Sequence, residues 1–357
     1  MEPETGTSTF NAKDAIRAVI EGELLTEQQA TEVMDGIMKG DVSAPQIASL
    51  ITALRMRGET VDEITGFARA LRRHVQAVSV PQDLPIVDTC GTGGDGAGTF
   101  NISTTAALVI SGAGVRVAKH GNRSVTSICG SADVLEALGV VIELSADLVA
   151  ESIREVGIGF MFAPAYHPGF RHAGPARREI GIRTVFNLLG PMTNPAGTRR
   201  QIIGVSVPAA APLLAEALSR LGSERVLIVY SPEGLDELGL GQDSHIVEYD
   251  HAKGEIEQYS IGPRDVGLQM ADASELVGGA ATDNALISRA VLSGELGPRR
   301  DVVLFNAGAG LYAAGVVRDI GEGVRLAEAT VDCGRALATL DRFIDLTQQL
   351  SRRGTEA

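Results

Sequence analysis

Short apolar runs alternate with helical stretches from residue 86 onward, and this alternation constrains the fold more than any other feature of the chain. Apolar runs of this kind are typical of strands buried on both faces of a sheet. Their alternation with helices predicts an α/β domain over residues 83–357, with a mostly parallel central sheet flanked by helices. The predicted strands are Ile86–Cys90, Val115–Ala118, Val140–Leu144, Gly159–Phe162, Ile202–Val207, Arg225–Tyr230 and Val302–Asn306. Helices are expected from about Ser103, over Ala132–Leu138, and from about Leu326 to Leu350.

The residues before Pro81 have helical periodicity instead. Three capping boxes, in which the first and fourth side chains each satisfy a backbone N–H at a helix start, precede amphipathic stretches. They are Thr26–Gln29, Ser43–Gln46 and Thr60–Glu63. Short amphipathic helices with short connections indicate a bundle. We therefore expect a small N-terminal helical domain over residues 1–82, which helices from about 170–200 join.

Composition excludes several classes of protein. The 357 residues include 45 acids and 31 bases, a formal net charge of −14, so non-specific binding to nucleic acid or to an anionic membrane is not expected. Three scattered cysteines argue against a disulfide framework or a zinc site. The polar segment Met1–Phe10 does not resemble a signal peptide, and there is no apolar run of about 18 residues that would span a membrane. We expect a cytoplasmic protein.

A glycine-rich loop, Gly91–Gly98, follows the first predicted strand and has five glycines in eight residues. Glycine allows positive φ and close approach of a ligand, so successive N–H groups can form an anion-binding nest. The segment Asn101–Thr104, where a helix should begin, suits a phosphate. A flexible turn is the alternative. The spacing also matches the dinucleotide-binding pattern G-x-G-x-x-G. That pattern needs a later acid to bind the ribose, and residues 96–132 contain none. An NADP-binding variant that uses Arg116 stays open.

A second polar loop, Lys119–Ser127, follows the second predicted strand. Ligands of open α/β sheets bind outside the carboxyl ends of the strands, so both loops can face one ligand. Lys119 and Arg123 supply positive charge, and nearby hydroxyls supply donors, at Ser124, Thr126, Ser127 and Ser131. A solvated loop is the alternative, and His120 is as consistent with packing as with a direct role.

Two adjacent carboxylates, Asp236 and Glu237, come after the predicted strand Arg225–Tyr230. Mg²⁺ takes oxygen ligands and often shares them with substrate phosphates, so the pair is a candidate metal site. General acid–base chemistry is a second use of such a pair. A solvated turn is the third interpretation.

A basic stretch lies between Val156 and Ala215, where six arginines face one acid, Glu179. Its central members are Arg171, Arg177, Arg178 and Arg183. Arginine suits bidentate recognition of a carboxylate or phosphate, although a solvated helix face accounts for some of these residues. The segment Asn187–Pro195 is too rich in turn residues for one continuous helix, so we expect a defined loop.

Taken in order, these segments resemble the motifs of the anthranilate phosphoribosyltransferase family over nearly the whole chain, from about Ala12 to Leu350. The matching segments are Arg55–Thr60, Gly91–Asp95, Asn101–Thr104, Lys119–Arg123, Gly130–Asp133, His167-Pro168, Arg177, Phe186–Pro195 and Asp236-Glu237. The resemblance implies a pentosyltransferase of tryptophan biosynthesis that makes N-(5-phosphoribosyl)anthranilate and pyrophosphate from anthranilate and phosphoribosyl pyrophosphate. It also implies a Mg²⁺-dependent homodimer formed through the helical domain, with a fold shared with pyrimidine nucleoside phosphorylases.

The resemblance implies roles for individual residues, none of them a general acid or base. Mg²⁺ would contact Ser103, Asp236 and Glu237, and anthranilate would be positioned by Gly91, Asn122 and Arg177. Phosphoribosyl pyrophosphate would be bound by Gly91, Gly94, Asp95, Thr99, Asn101, Ile102, Ser103, Thr104, Lys119, His120, Gly121, Asn122, Arg123, Ser124, Val125, Thr126, Ser127 and Ser131.

Two segments depart from the family pattern: Ile128-Cys129 in the second loop, and the glycine-rich Leu238–Gly241 after the acidic pair. Both put the local loop geometry in question without removing a candidate ligand. A nucleoside phosphorylase and a non-catalytic nucleic-acid-binding relative are the competing hypotheses.

Overall fold

The computed structural model describes residues 10–81, 85–124 and 128–356, so Val125, Thr126 and Ser127 of the second loop lie outside the described residues. The helices are α1 (Ala12–Ile20), α2 (Glu27–Lys39), α3 (Ala44–Arg57), α4 (Val61–His74), α5 (Ile102–Gly112), α6 (Ser131–Leu138), α7 (Ala146–Val156), α8 (Ala163–Tyr166), α9 (Phe170–Ile180), α10 (Val185–Leu189), α11 (Ala210–Arg220), α12 (Ala281–Leu292), α13 (Pro298–Ala314), α14 (Ile320–Asp332) and α15 (Arg335–Glu356). The strands are β1 (Ile86–Gly91), β2 (Arg116–Gly121), β3 (Ile158–Phe162), β4 (Arg200–Gly204), β5 (Arg225–Tyr230), β6 (Ser244–Asp250) and β7 (Glu255–Ile261). None of the helices in this described part of the chain has both the length and the apolar composition that crossing a membrane requires.

The chain divides into two compact units. The helical unit comprises Met1–Val75 and His167–Thr193, and the α/β unit comprises Gln76–Tyr166 and Asn194–Ala357. Each unit has its own internal packing.

In the helical unit, two of the three predicted capping boxes, at Thr26 and Thr60, are confirmed. The Thr60 hydroxyl accepts the N–H of Glu63 at 3.3 Å, while the Glu63 carboxylate accepts the N–H of Thr60 at 3.0 Å. The box that begins at Thr26 is also formed. At Ser43 only one half is present: the Gln46 side chain accepts the N–H of Ser43 at 3.1 Å, and the Ser43 hydroxyl makes no cap hydrogen bond. These local contacts set where α2, α3 and α4 begin, and buried apolar faces then pack the helices together.

The α/β unit is built on a seven-stranded sheet, with the order β3-β2-β1-β4-β5-β6-β7 among the described residues. Neighbouring strands from β3 to β5 are parallel, and β6 and β7 are antiparallel additions at one edge. Helices such as α5 and α13 pack against the strands and bury a continuous apolar core. The predicted fold class, a helical domain plus a mostly parallel sheet flanked by helices, is confirmed.

The strand order reverses at β1, which has β2 and β3 on one side and β4 and β5 on the other. In open α/β sheets, such a reversal leaves a crevice outside the carboxyl ends of the strands. The glycine-rich loop directly follows β1, so the topology places this loop at the crevice.

Two predicted strands are wrong. Val302–Asn306 lies inside the 17-residue helix α13, because a short apolar run looks the same in a strand buried on both faces and in a helix buried all round. Val140–Leu144 is not a strand either. There the N–H of Val141 donates to the hydroxyl of Thr347 at 3.2 Å instead of to a neighbouring strand.

Other elements also differ from the sequence predictions: β4, for example, is Arg200–Gly204, where the sequence predicts Ile202–Val207. β2 continues past Ala118 to Gly121, because Lys119 and His120 extend the parallel ladder with β3. The expected terminal helix is two helices, α14 and α15, separated at Gly334, whose φ is +78°. β6 and β7 are not among the predicted strands, since charged and polar residues interrupt their apolar residues and neither forms a continuous apolar run.

Candidate active site

The glycine-rich loop after β1 follows a backbone path that requires glycine. Gly93, Gly94, Gly96 and Gly98 have φ values of +62°, +72°, +73° and +66°. Residues that carry a Cβ rarely adopt positive φ values of this kind. The loop closes where Gly278 donates its N–H to the carbonyl of Gly98 at 2.9 Å. The glycine excess in this segment therefore specifies a loop shape.

Asp236, in the loop after β5, lies directly on the ends of β1 and β4. Its carboxylate accepts the N–H of Gly93 at 3.0 Å. A Cβ on Gly91 would lie 2.7 Å from Asp236 Oδ2, and a Cβ on Gly204 would lie 1.6 Å from the Asp236 carbonyl oxygen. The strand ends can therefore admit the acidic pair only because both of these positions are glycine.

The two carboxylates of the acidic pair are half-buried, with little positive charge to balance them. Glu237 Oε1 accepts the N–H of Ser103, in the first turn of α5, at 3.2 Å. Burial raises the pKa of Asp236, and the charge of Asp95 raises it further. Burial also raises the pKa of Glu237, and so does the charge of Asp236, while Lys119 opposes the rise. A cation beside this pair would relieve the repulsion.

These residues fit a magnesium ion. Carboxylate oxygens are the donors that Mg²⁺ prefers, and one or two protein carboxylates are enough when waters and substrate phosphates complete its octahedron. Within the described ranges, no group of three or more His, Cys, Asp or Glu side chains forms a metal cluster. An ion held by Asp236 and Glu237 would therefore take its remaining ligands from other oxygen donors, such as waters and substrate phosphates.

Lys119 is a buried charge at the end of β2. Its Nζ donates to the carbonyl oxygen of Thr89 at 2.5 Å and to the Thr89 hydroxyl at 3.3 Å. Burial lowers the pKa of Lys119, and the charge of Asp88 opposes the fall. Asp88 in turn accepts the N–H of His120 at 3.2 Å and the Asn194 amide at 2.7 Å. Lys119 and His120 are thus held by the sheet rather than by a loop.

Asp88, Thr89 and Asn194 are absent from the site expected from the sequence. Asp88 does have a sequence signal, because it is a charged residue inside the otherwise apolar predicted strand Ile86–Cys90. Asn194 lies inside the predicted loop Asn187–Pro195, but nothing in that segment indicates its partner Asp88, which is 106 residues away. Its role arises from tertiary structure.

Asp133, near the start of α6, closes the second loop. Its carboxylate accepts the N–H groups of Ser124 at 3.1 Å and Gly130 at 2.8 Å, and it accepts Arg123 Nη1 at 3.0 Å. Burial opposes ionisation, but these donors together lower the pKa of Asp133. Arg123 also pairs with Glu136. The second loop is therefore tied to α6 at its described ends.

Asn101, just before α5, connects the two loops. Its Nδ2 donates to the carbonyl oxygen of Cys129 at 3.2 Å, and its Oδ1 accepts from Asn284 Nδ2 at 3.0 Å. Ile128 is 73% exposed. The departure at Ile128-Cys129 keeps this connection, since the backbone carbonyl of Cys129 accepts from Asn101 and the Cys129 thiol donates to Asn101 Oδ1 at 3.3 Å.

The glycine-rich segment after the acidic pair also has a packing reason. Leu238 and Leu240 are fully buried, and the glycines between and after them face Glu233. A Cβ on Gly239 or Gly241 would lie 2.3 Å or 1.8 Å from a carboxylate oxygen of Glu233. The second departure from the family pattern is therefore an alternation of core leucines with glycines that admit a carboxylate.

In the helical unit, Arg177 of α9 lies against two aromatic rings. Its Cζ is 5.9 Å from the ring centre of Phe170 and 5.0 Å from that of Phe186. Burial lowers the pKa of Arg177, whereas the adjacent Arg178 is exposed. A guanidinium placed beside two rings is partly shielded from water, and its planar set of donors suits a carboxylate.

The α/β unit gathers the remaining described candidate residues at the carboxyl ends of β1, β2 and β5. Ser131 Oγ, for example, donates to the carbonyl oxygen of Asn122 at 3.3 Å across the second loop. The residues at this edge are Gly91, Gly94, Asp95, Thr99, Asn101, Ile102, Ser103, Thr104, Lys119, His120, Gly121, Asn122, Arg123, Ser124, Ser131, Asp236 and Glu237. Glycine-loop N–H groups, a helix start and paired carboxylates together suit a phosphorylated ligand with a divalent cation.

This fold and site define a glycosyl-transferring enzyme with a helical bundle and an α/β domain. Residues 83–337 match the family model described as glycosyl transferase family, a/b domain. Residues 13–75 match the model described as glycosyl transferase family, helical bundle domain.

Comparison with individual proteins narrows the class. An anthranilate phosphoribosyltransferase of Moorella thermoacetica is 53% identical over 333 residues, which cover 93% of this chain and 97% of the relative. The crystal structure of the Thermus thermophilus enzyme of that name has a TM-score of 0.88 at 45% identity, covering 94% of this chain and 99% of that chain. The Saccharomyces cerevisiae enzyme in complex with PRPP and Mg has a TM-score of 0.85 at 28% identity. The match covers 95% of this chain and 98% of that chain. The chain belongs to the anthranilate phosphoribosyltransferase family.

Replacing Asp133 tests the closure of the second loop. Asp133→Asn should lower the free energy of unfolding at neutral pH by about 1–3 kcal/mol, because charged hydrogen bonds to two N–H groups and an arginine are lost. Since folding lowers the pKa of Asp133, its contribution is present above the unfolded value near 3.9 and is lost as pH falls through the folded value. Urea denaturation between pH 3 and pH 7 measures the difference.

The matched control is Asp345→Asn, on an exposed position of α15. It should leave the stability nearly unchanged across the same pH range. Equal stabilities of the two variants at pH 7 would contradict the role of Asp133.

Proposed function

We propose that this protein transfers the 5-phosphoribosyl group of phosphoribosyl pyrophosphate to the amine of anthranilate and releases pyrophosphate, a pentosyltransferase step of tryptophan biosynthesis. The acidic pair seated on the glycine-rich loop and on the start of α5 carries the proposal. A cation bound by this pair would lie beside backbone N–H groups that suit phosphate, as a pyrophosphate substrate with Mg²⁺ requires. The names of the similar proteins support anthranilate as the acceptor.

Phosphoribosyl pyrophosphate would be bound along the carboxyl ends of β1 and β2. N–H groups of the glycine-rich loop and the positive end of the α5 dipole favour phosphate oxygens there. Hydroxyl and cationic side chains of the second loop would complete the site. The assigned residues are Gly91, Gly94, Asp95, Thr99, Asn101–Thr104, Lys119–Ser127 and Ser131.

Mg²⁺ would be held by Ser103, Asp236 and Glu237. The yeast relative solved with PRPP and Mg supports the use of magnesium. When bound, the ion would neutralise negative charge on the departing pyrophosphate. On this chain, the N–H groups of Gly93 and Ser103 hold the two carboxylates in place, so their orientation is set by the protein backbone.

Cleavage of the bond between ribose C1 and pyrophosphate leaves positive charge on the ribose and negative charge on the leaving group. N–H donors that are fixed before the substrate binds stabilise that negative charge where it develops. The anthranilate amine is already a nucleophile, so the chain needs no strong general base and we assign none. The rate then depends on positioning and electrostatics.

Arg177 would bind the carboxylate of anthranilate, and Gly91 and Asn122 would contribute to positioning the ring. Contact with Phe170 and Phe186 restricts the guanidinium to few orientations. A half-buried guanidinium also makes stronger hydrogen bonds to a carboxylate than one in water. Arg177 would therefore determine the choice of acceptor more than the binding of the donor substrate.

The protein would act as a homodimer formed through its helical unit. Ile20, Leu24 and Met56 are 69%, 63% and 84% exposed, on or next to α1 and α3. Because α1 and α3 pack against each other, these side chains provide apolar surface on one helix pair. A second copy of the chain would bury it.

The compartment would be the cytoplasm. All three cysteines are free thiols, which suits a reducing environment. The net charge of −14 disfavours nucleic acid and anionic membranes as partners.

The activity is tested by incubating the protein with anthranilate, phosphoribosyl pyrophosphate and Mg²⁺ and following the fall in anthranilate fluorescence. Mixtures that lack the pyrophosphate substrate should show no change. A folded protein that leaves the fluorescence unchanged in the complete mixture would reject the proposed reaction.

Neutralising the acidic pair should remove the metal dependence. With Asp236→Asn and Glu237→Gln combined, turnover should fall roughly 10²–10³-fold, because stabilisation of the leaving group is lost. Titration of Mg²⁺ in the fluorescence assay measures both effects. Asp243→Asn, an exposed acid before β6, is the control and should keep the wild-type profile. A double variant that retains the wild-type Mg²⁺ profile would reject the metal role.

Removing the Arg177 guanidinium should affect anthranilate selectively. Arg177→Ala should raise the KM for anthranilate about 10- to 100-fold, the loss expected for hydrogen bonds to a charged group, with a small change in the KM for phosphoribosyl pyrophosphate. Steady-state kinetics with each substrate varied in turn gives both constants. The exposed neighbour Arg178→Ala is the matched control. Equal increases in both constants for Arg177→Ala would reject the assignment.

A charge on the apolar surface of the helical unit should separate the dimer. Met56→Glu should shift the mass measured by light scattering toward that of one chain, because a carboxylate cannot be buried there without a partner. Leu296→Glu, at a residue of the α/β unit that is 78% exposed, should leave the mass unchanged. A Met56→Glu variant with wild-type mass would contradict the proposed interface.

A further inference from the structure

Asn306 of α13 binds the backbone of the residue that directly follows the acidic pair. Its Oδ1 accepts the N–H of Leu238 at 3.1 Å, and its Nδ2 donates to the carbonyl oxygen of Leu238 at 3.0 Å. Nδ2 also donates to the carbonyl oxygen of Val302 at 2.9 Å. The oxygen and both N–H donors of the amide are thus used, and the side chain is buried.

Leu238 needs such a partner. It is fully buried and belongs to no helix or strand, so its N–H and carbonyl groups have no neighbouring strand to pair with. A buried backbone group without a hydrogen bond costs about 1–3 kcal/mol. The Asn306 amide presents one acceptor and one donor side by side and replaces the missing strand.

The hydrogen bond at Leu238 acts on Glu237 because the two residues share a peptide group. The N–H that Asn306 accepts belongs to the peptide between Glu237 and Leu238, so the clamp fixes the orientation of that peptide plane. Asn306 and Glu237 also line one small internal cleft, together with Ser103. The direction of the Glu237 side chain toward the N–H of Ser103 therefore depends on where α13 holds this backbone.

We propose that Asn306 is a positioning residue for the cation site: by clamping the backbone of Leu238, it keeps the Glu237 carboxylate at the start of α5. The assignment of a cation to this carboxylate rests on the proposed function. The clamp itself does not, since it is defined by three hydrogen bonds of the protein.

The test compares Asn306→Leu with Thr347→Val. Leucine has a similar size to asparagine but no amide. Thr347 is the matched control, because it is also buried and also accepts a backbone N–H outside regular structure, that of Val141. Both variants lose a buried side chain-to-backbone contact, so both should lower the melting temperature.

Two measurements without turnover separate the variants. Hydrogen exchange followed by mass spectrometry reports the protection of the 231–241 segment. Electron paramagnetic resonance of Mn²⁺ with phosphoribosyl pyrophosphate reports cation affinity. In Asn306→Leu, the Leu238 amide should exchange faster and Mn²⁺ affinity should fall about 10-fold or more, the usual effect of losing a contact that orients a metal ligand. In Thr347→Val, both should match the wild type.

Unchanged exchange at Leu238, or unchanged Mn²⁺ affinity in Asn306→Leu, would overturn the proposal. So would an equal loss of Mn²⁺ affinity in Thr347→Val. If Asn306→Leu does not fold, Asn306→Ala carries the same test without forcing a branched side chain into the space. A wild-type protein that binds Mn²⁺ but turns over no anthranilate would count against the proposed function alone, whereas one that binds no Mn²⁺ would overturn both.

Discussion

The contact of Asp236 with the ends of β1 and β4 is the constraint on which the site depends. The carbonyl oxygen of Asp236 occupies the space where Gly204 would carry a side chain, and its carboxylate fills the corresponding space at Gly91. The loop after β5 therefore passes in direct contact with the sheet at the point where the strand order reverses. That crossing brings Glu237 to the start of α5 and Asp236 to the glycine-rich loop. Three segments far apart in the chain meet at one pair of carboxylates.

Neutral amides support this charged region. Asn101 connects the two loops, Asn194 bridges Asp88 and the carbonyl of Ala118, and Asn306 clamps the backbone after the acidic pair. An amide both donates and accepts, so it can satisfy buried backbone groups without adding charge. A site that already holds buried carboxylates and a buried lysine gains order from such groups at no electrostatic cost.

The sequence predicts the parts of the fold that have local signals. Capping boxes such as Thr60–Glu63 mark helix starts, and the glycines from Gly91 to Gly98 mark a loop whose φ values need them. The failures have tertiary causes. Val302–Asn306 belongs to a helix that is buried on all sides, and a short apolar run does not distinguish such a helix from a central strand. Asp88, Asn194 and Asn306 act through partners distant in sequence, so spacing along the chain does not show which residues they contact.

The extension of β2 through Lys119 has a consequence for how tightly a phosphorylated substrate can be held. A lysine on a flexible loop would lose about 2 kcal/mol of rotamer freedom when it met its ligand. Lys119 has already lost that freedom in the folded protein, since its Nζ is bound to Thr89 beneath the crevice. In the proposed site, this side chain would therefore be ordered during folding rather than during association. The substrate would meet a stationary charge, and a larger share of each new hydrogen bond would contribute to affinity.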